Sequence, residues 1–192
     1  PPKLSALTPS PGKCPLNSTF PTSSLRQIAR CSTRYENSCN RLKQSIDSPI
    51  MKRIAILNGP NLDRLGKRDP EIYGTSTLDD VASGLKAQFP NVEFEFFQSN
   101  HEGVLVDKIS ELAEGNCQGI VFNPGAYSHT SIALRDAISD SKMSTIEVHI
   151  SNIHARERFR HHSHTGAVSQ GVIAGLGIKG YELAVKTLVD QE

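Results

Sequence analysis

The run Glu147-Val148-His149-Ile150-Ser151 sets a carboxylate and an imidazole two residues apart. In a strand, alternate side chains share a face, so Glu147 and His149 meet on one side. Such a carboxylate orients the imidazole and retains its proton, which suits His149 to general-acid work; a buried structural histidine uses the same pairing. Just beyond, Arg156, Arg158 and Arg160 with Glu157 form either a solvated basic turn or a fork that captures a carboxylate. Upstream, Asn123-Pro124-Gly125-Ala126-Tyr127-Ser128-His129-Thr130-Ser131 offers the Asn123 amide and the His129 imidazole to sugar-like hydroxyls. Ser128, Thr130 and Ser131 serve equally as caps for the helix that follows.

A long polar connection from Asn58 to Gly74, punctuated by Gly and Pro, exceeds what an ordinary strand-to-helix turn needs and suits a lid. Within it Arg68 and Tyr73 stand five residues apart. A guanidinium beside a phenol favours the phenolate and lowers a pKa of ~10. A tyrosine is just as readily a packing residue with a satisfied hydroxyl. His154, His161, His162 and His164 match no familiar ligand spacing, so no metal is expected.

These groups need a scaffold, and the hydrophobic pattern supplies one. Short Ile-, Val- and Phe-rich runs at Arg53–Leu57, Val92–Phe97, Gly119–Asn123, Thr145–Ile150 and Gly171–Ala174 read as strands. Helical stripes separate them: Leu78, Val81, Ala82, Leu85 and Phe89; Leu105, Ile109 and Leu112; Leu134, Ala137 and Ile138. Tyr181, Ala184, Val185 and Leu188 make a last helix after Gly180, and Thr77 with Asp80 predicts a capping box. Strand and helix alternate with short connections, which predicts an α/β domain with a parallel sheet covered by helices on both faces. Five strands suit a flavodoxin-like domain of order 2-1-3-4-5, whose ligands bind beyond the carboxyl ends of the strands.

The chain has 192 residues and a formal charge of +1, and its averages conceal a division. Residues 1–50 are rich in Ser and Pro and carry seven Lys/Arg against two acids, whereas the remainder is acidic on balance. The first segment lacks any sustained period and is expected to be a disordered leader, with residues 51–192 forming the domain. An organelle transit peptide, a partner-binding tail and upstream sequence read into the chain all fit its composition. Its basic excess is no argument for nucleic-acid binding, and without tryptophan the chain is a poor base-stacking platform. No apolar run approaches the ~18 residues of a membrane span, and four cysteines are too few for a disulfide scaffold. An intracellular, cytoplasmic protein is expected.

In this order the segments resemble type II 3-dehydroquinate dehydratase. The carriers are Asn58-Gly59-Pro60-Asn61-Leu62 with Arg68 and Tyr73-Gly74, the Asn123–Ser131 run, and Glu147-Val148-His149-Ile150-Ser151-Asn152-Ile153-His154-Ala155-Arg156-Glu157 with Phe159-Arg160. Gly175-Leu176-Gly177-Ile178-Lys179-Gly180-Tyr181 closes the set. The resemblance spans 52–190 and none of 1–50. It implies removal of water from 3-dehydroquinate to give 3-dehydroshikimate through an enolate, with no metal, cofactor or Schiff base. It further implies Tyr73 as the C2 base with Arg68 favouring its phenolate, Asn61 as a stabiliser of the enolate through a bound water, and His149, oriented by Glu147, as the acid. Asn123, His129 and Asp136 match positions that bind substrate hydroxyls, Asp136 reaching in from a neighbouring subunit. Ile150 and Ser151 through their amides, with Arg160, match a carboxylate site, and Arg156 a lid partner. The family's dodecamer, a tetramer of trimers, is expected too. The reaction serves aromatic amino-acid biosynthesis, and quinate breakdown is the alternative.

Rival occupants of the same fold fit less well. A flavodoxin places Ser and Thr hydroxyls after the first strand, where this chain has Asn58-Gly59-Pro60-Asn61. A phosphoacceptor receiver domain needs acids at the ends of strands one and three, where Asn58 and Asn123 stand. A pure binding module has no reason to pair Arg with Tyr and Glu with His at one edge.

Overall fold

The structure is a computed structural model that describes residues 51–67 and 76–191. Five strands form one parallel sheet: β1 (Lys52–Asn58), β2 (Val92–Gln98), β3 (Gly119–Asn123), β4 (Ser144–His149) and β5 (Gly171–Ala174). Their spatial order is β2-β1-β3-β4-β5, the order expected of a flavodoxin-like domain. Helices α1 (Leu78–Gln88), α2 (Glu102–Glu114), α3 (Ile132–Ser141) and α4 (Lys179–Val189) cover both faces.

Residue parity decides which face each side chain serves. Ile54 and Ile56 of β1, Val121 of β3, and Ile146 and Val148 of β4 pack with Val81 and Leu85 of α1 and with Ala184, Val185 and Leu188 of α4. Ala55, Leu57, Ile120 and Phe122 point the other way, against Leu105, Ile109 and Leu112 of α2 and Leu134 and Ile138 of α3. Both faces are therefore dry, as a parallel sheet with crossover helices requires. The same parity turns Glu147 and His149 away from α4 and toward the α3 side. At the start of α1 the capping box forms, Thr77 accepting from the Asp80 amide while Asp80 accepts from the Thr77 amide.

Several boundaries differ from the sequence-based reading: β1 is one residue longer at each end and β2 one residue longer at its carboxyl end. The fourth strand is shifted one residue toward the amino end at both limits, so Ile150 lies outside the ladder. The last helix begins at Lys179, with Gly180 inside it. Gly180 is a close-packing position, not a boundary: a Cβ there would meet Val148 Cγ1 at 3.1 Å, so the missing side chain lets α4 lie close on the sheet.

The order of strands reverses between β1 and β3, and the chains leaving these two strands touch backbone to backbone. The Gly59 amide donates to the Asn123 carbonyl at 2.7 Å. A Cβ on Gly59 would stand 2.4 Å from the Pro124 carbonyl oxygen, closer than packed atoms come. Gly125 supports the same approach with φ +58°. Gly59→Ala is therefore expected to cost about 2 kcal/mol, roughly 5 °C in Tm. Gly84→Ala on the open face of α1, where nothing lies within 4 Å, should raise stability by about 0.5–1 kcal/mol. Thermal melts of the two variants check both signs.

Candidate active site

Beyond the carboxyl ends of β1, β3 and β4 lies a cavity of about 170 Å³. Its wall includes Asn61, Asn123, His129, His149, Ser151 and Arg160. Asn61 adopts a left-handed conformation, φ 66°, which asparagine tolerates better than most residues. Its amide donates to Asn100 Oδ1 at 2.8 Å, and the Tyr127 hydroxyl donates to the Asn100 carbonyl at 2.9 Å. The segment after β2 thus ties together the walls contributed by β1 and β3.

At the floor, Glu147 is fully buried and His149 nearly so. His149 Nε2 donates to Glu147 Oε1 at 2.7 Å. Ser163 Oγ donates to the same oxygen at 2.7 Å, and the Thr165 hydroxyl donates to Oε2. Burial by itself pushes the Glu147 carboxyl up; the His149 hydrogen bond and charge, together with the two hydroxyls, outweigh it and hold the group below its usual range. The carboxylate is kept ionised, Nε2 keeps its proton, and Nδ1 is the nitrogen left for chemistry.

His129 lies over His149 with ring centroids 6.2 Å apart and planes within 12°. Its Nδ1 donates to the His162 carbonyl at 2.8 Å, which fixes the tautomer and leaves Nε2 as an acceptor. Burial lowers the His129 pKa against the opposing pull of that carbonyl, keeping the ring neutral. The strap His162–Thr165 therefore orients both histidines, one through a backbone oxygen and the other through Glu147. A further bond, from the His164 amide to the Ser128 carbonyl at 2.7 Å, ties the strap to the loop after β3.

Arg160 Nε donates to Glu157 Oε2 at 2.8 Å, and its guanidinium lies 4.8 Å from the centroid of the Phe159 ring, which in turn packs edge-on against His129 at 6.5 Å. Held from two sides, it presents a cation beside Ile150 and Ser151, which line the same cavity along with Arg156. Asn123 is buried: its Oδ1 accepts from the Gly125 amide and its Nδ2 donates to the Tyr181 hydroxyl. Electrostatically the site combines a buried carboxylate held by three donors with the guanidinium groups of Arg156 and Arg160 in the cavity lining.

The family model described as "Dehydroquinase class II" matches residues 52–189. This chain belongs to that family. A 3-dehydroquinate dehydratase of Bacillus pumilus is 54% identical over 143 residues, covering 73% of this chain and 97% of the relative. The type II dehydroquinase structure from Butyrivibrio crossotus superposes with TM-score 0.70 at 45% identity, covering 72% of this chain and 98% of that one. That from Propionibacterium acnes gives TM-score 0.70 at 47% identity, covering 73% and 97%.

Of the dehydroquinase residues singled out from sequence, Asn61, Asn123, His129, His149, Ile150, Ser151, Arg156 and Arg160 line the one cavity, and Glu147 supports it from below. Asp136 does not line it. The side chain of Asp136 is 64% exposed and pairs with Arg135 at 2.8 Å on the outer face of α3. Arg68 and Tyr73 lie outside the described residues. Sequence reasoning missed Ser163, Thr165, Asn100 and Tyr181. The hydroxyls of the strap sit in a polar connection with no period, and only the neighbouring buried carboxylate explains them.

Thr165→Val keeps the shape but removes one bond to a buried anion, a loss of about 2 kcal/mol. A carboxyl held below its usual range stabilises the fold above its unfolded pKa, and that contribution is lost as pH falls through the folded pKa. With the folded pKa of Glu147 raised by the substitution, acid unfolding of Thr165→Val should begin at higher pH. Denaturation followed from pH 7 downward by circular dichroism checks the direction.

Proposed function

We propose that this chain dehydrates 3-dehydroquinate to 3-dehydroshikimate through an enolate. The observation that carries the reading is the buried Glu147–His149 pair opening on a cavity whose lining includes Arg160. The names borne by the relatives support the same substrate.

In this mechanism Arg160 and the backbone amides of Ile150 and Ser151 hold the substrate carboxylate. Tyr73, as phenolate beside Arg68, removes the proton from C2, and the electron pair moves onto the C3 carbonyl oxygen as an enolate. Asn61 stabilises that oxygen through a bound water. When the enolate collapses, the C1–O bond breaks, and His149 Nδ1 gives its proton to the departing hydroxide, which leaves as water. Glu147 holds the imidazolium before that transfer. No carbon–nitrogen bond forms, so no lysine imine is required. Asn123 and His129 fix the substrate hydroxyls, Arg156 closes over the bound acid, and residues 1–50 form a leader that takes no part.

The position of Asp136 supports a composite site. Its exposure on α3 outside its own cavity favours the reading in which Asp136 serves a neighbouring subunit's site in a trimer, the building block of a dodecamer. Among the described residues no helix is long and apolar enough to cross a membrane.

Conversion of 3-dehydroquinate, followed by the ultraviolet absorbance of the conjugated enone, tests the reading directly. Tyr73→Phe and His149→Ala are each expected to lower kcat by about 100-fold or more. Arg68→Ala should also be slow, with the limb governed by the Tyr73 phenol moved to higher pH. Near-normal kcat in Tyr73→Phe refutes the mechanism. Light scattering at assay concentration tests the assembly, because an active monomer excludes a shared site.

A further inference from the structure

Tyr181 belongs by its ring to the apolar stripe of α4 and is fully buried, yet its hydroxyl sits in a directional chain of polar groups. The Gly125 amide can only donate, so the Asn123 atom it meets at 3.2 Å is the carbonyl oxygen. That fixes the Asn123 carboxamide: its nitrogen is the end that meets the Tyr181 hydroxyl, at 2.8 Å. Tyr181 must accept there, and its own proton goes to Asn58 Oδ1 at 2.6 Å. Asn58 and Asn123 are paired in the register of β1 and β3, so the tyrosine spans the two strands between which the order reverses. Burial pushes the Tyr181 phenol above its usual range, which keeps the hydroxyl a donor to Asn58.

We infer that Tyr181 is a positioning residue that locks the Asn123 carboxamide in one orientation, so that the site meets a substrate oxygen there with an N–H donor. Asn123 has two amide protons, and one is spent on Tyr181. The second is left at the wall of the cavity that Asn123 lines. Turned end for end, the carboxamide would present its oxygen instead, and the substrate hydroxyl would lose the N–H donor it accepts from. The inference rests on the proposed role of Asn123 in binding 3-dehydroquinate.

Tyr181→Phe preserves ring packing and removes the shorter of the two bonds that hold the carboxamide, leaving the 3.2 Å bond from the Gly125 amide. It should raise KM for 3-dehydroquinate about tenfold, a typical size for one well-placed hydrogen bond, while kcat changes less than threefold. Asn123→Asp, which keeps the acceptor for Gly125 but has no amide donor, should raise KM at least as much. Adding Tyr181→Phe to Asn123→Asp should then have no further effect on KM. Additive KM effects, or a lowered Tm with unchanged KM, would assign Tyr181 a structural role only and overturn the inference. An activity-independent measurement separates this from the proposed reaction. In nitrogen-15 relaxation spectra, the Asn123 side-chain NH2, assigned by its loss in Asn123→Asp, should be ordered in the native chain and mobile in Tyr181→Phe. Equal order in both overturns the inference even if the enzyme is active. A native chain that leaves 3-dehydroquinate untouched instead overturns the proposed function, and the relaxation result still decides the role of Tyr181.

Discussion

A carboxylate withdrawn from water is the constraint around which the rest of this site is arranged. Glu147 lies on β4, between β3 and the edge strand β5, has no exposed surface, and would lose its charge if left unpartnered. Three donors from two directions prevent that: the imidazole two residues along its own strand and the hydroxyls of Ser163 and Thr165. Because His149 is one of those donors, the price of keeping the anion buried is met by fixing the imidazole. Stability and reactivity thus draw on the same hydrogen bonds, so the strap that encloses the carboxylate cannot be loosened without disturbing the ring.

The rest of the architecture follows from bringing separate chain segments to that place. β1 and β3 diverge above the sheet, and glycine at position 59 lets their loops touch without a side chain between them. Asn100 then ties the two loops to the end of β2. The loops are short of regular structure but rich in bonds to one another, so they act as a wall instead of a fringe. Arg160 is handled in the same way, braced by Glu157 and by the face of Phe159. Glu147, His149, His129, Asn123 and Arg160 each have a neighbour that limits their orientations, which is the preorganisation that electrostatic catalysis depends on.

Much of this was legible in the sequence wherever a period or a strand parity encoded it. Alternation in Glu147-Val148-His149 was enough to put acid and imidazole on one face, and short apolar runs located all five strands to within a residue at each end. Gly180 misled because glycine carries two meanings: freedom of the backbone at a boundary, or room for a close neighbour inside an element. Thr165 was invisible because a hydroxyl in a polar loop announces nothing until the buried oxygen beside it is known. Tyr181 was hidden in another way. Its ring obeys the helical period, so hydropathy registers a packing residue and overlooks the one polar atom at its tip.

β4 joins these demands in six residues. Ile146 and Val148 fill the core on one side while Glu147 and His149 serve the cavity on the other. Exchange of Ile146 or Val148 for another branched aliphatic residue leaves that division intact. Insertion or deletion of a single residue would not, because every side chain after it would change faces. The carboxylate would enter the aliphatic layer beneath α4, and an isoleucine or valine would stand in the cavity. This strand can therefore drift in composition over evolutionary time but is closed to change in length, a restriction that loops at the amino edge of the same sheet do not share.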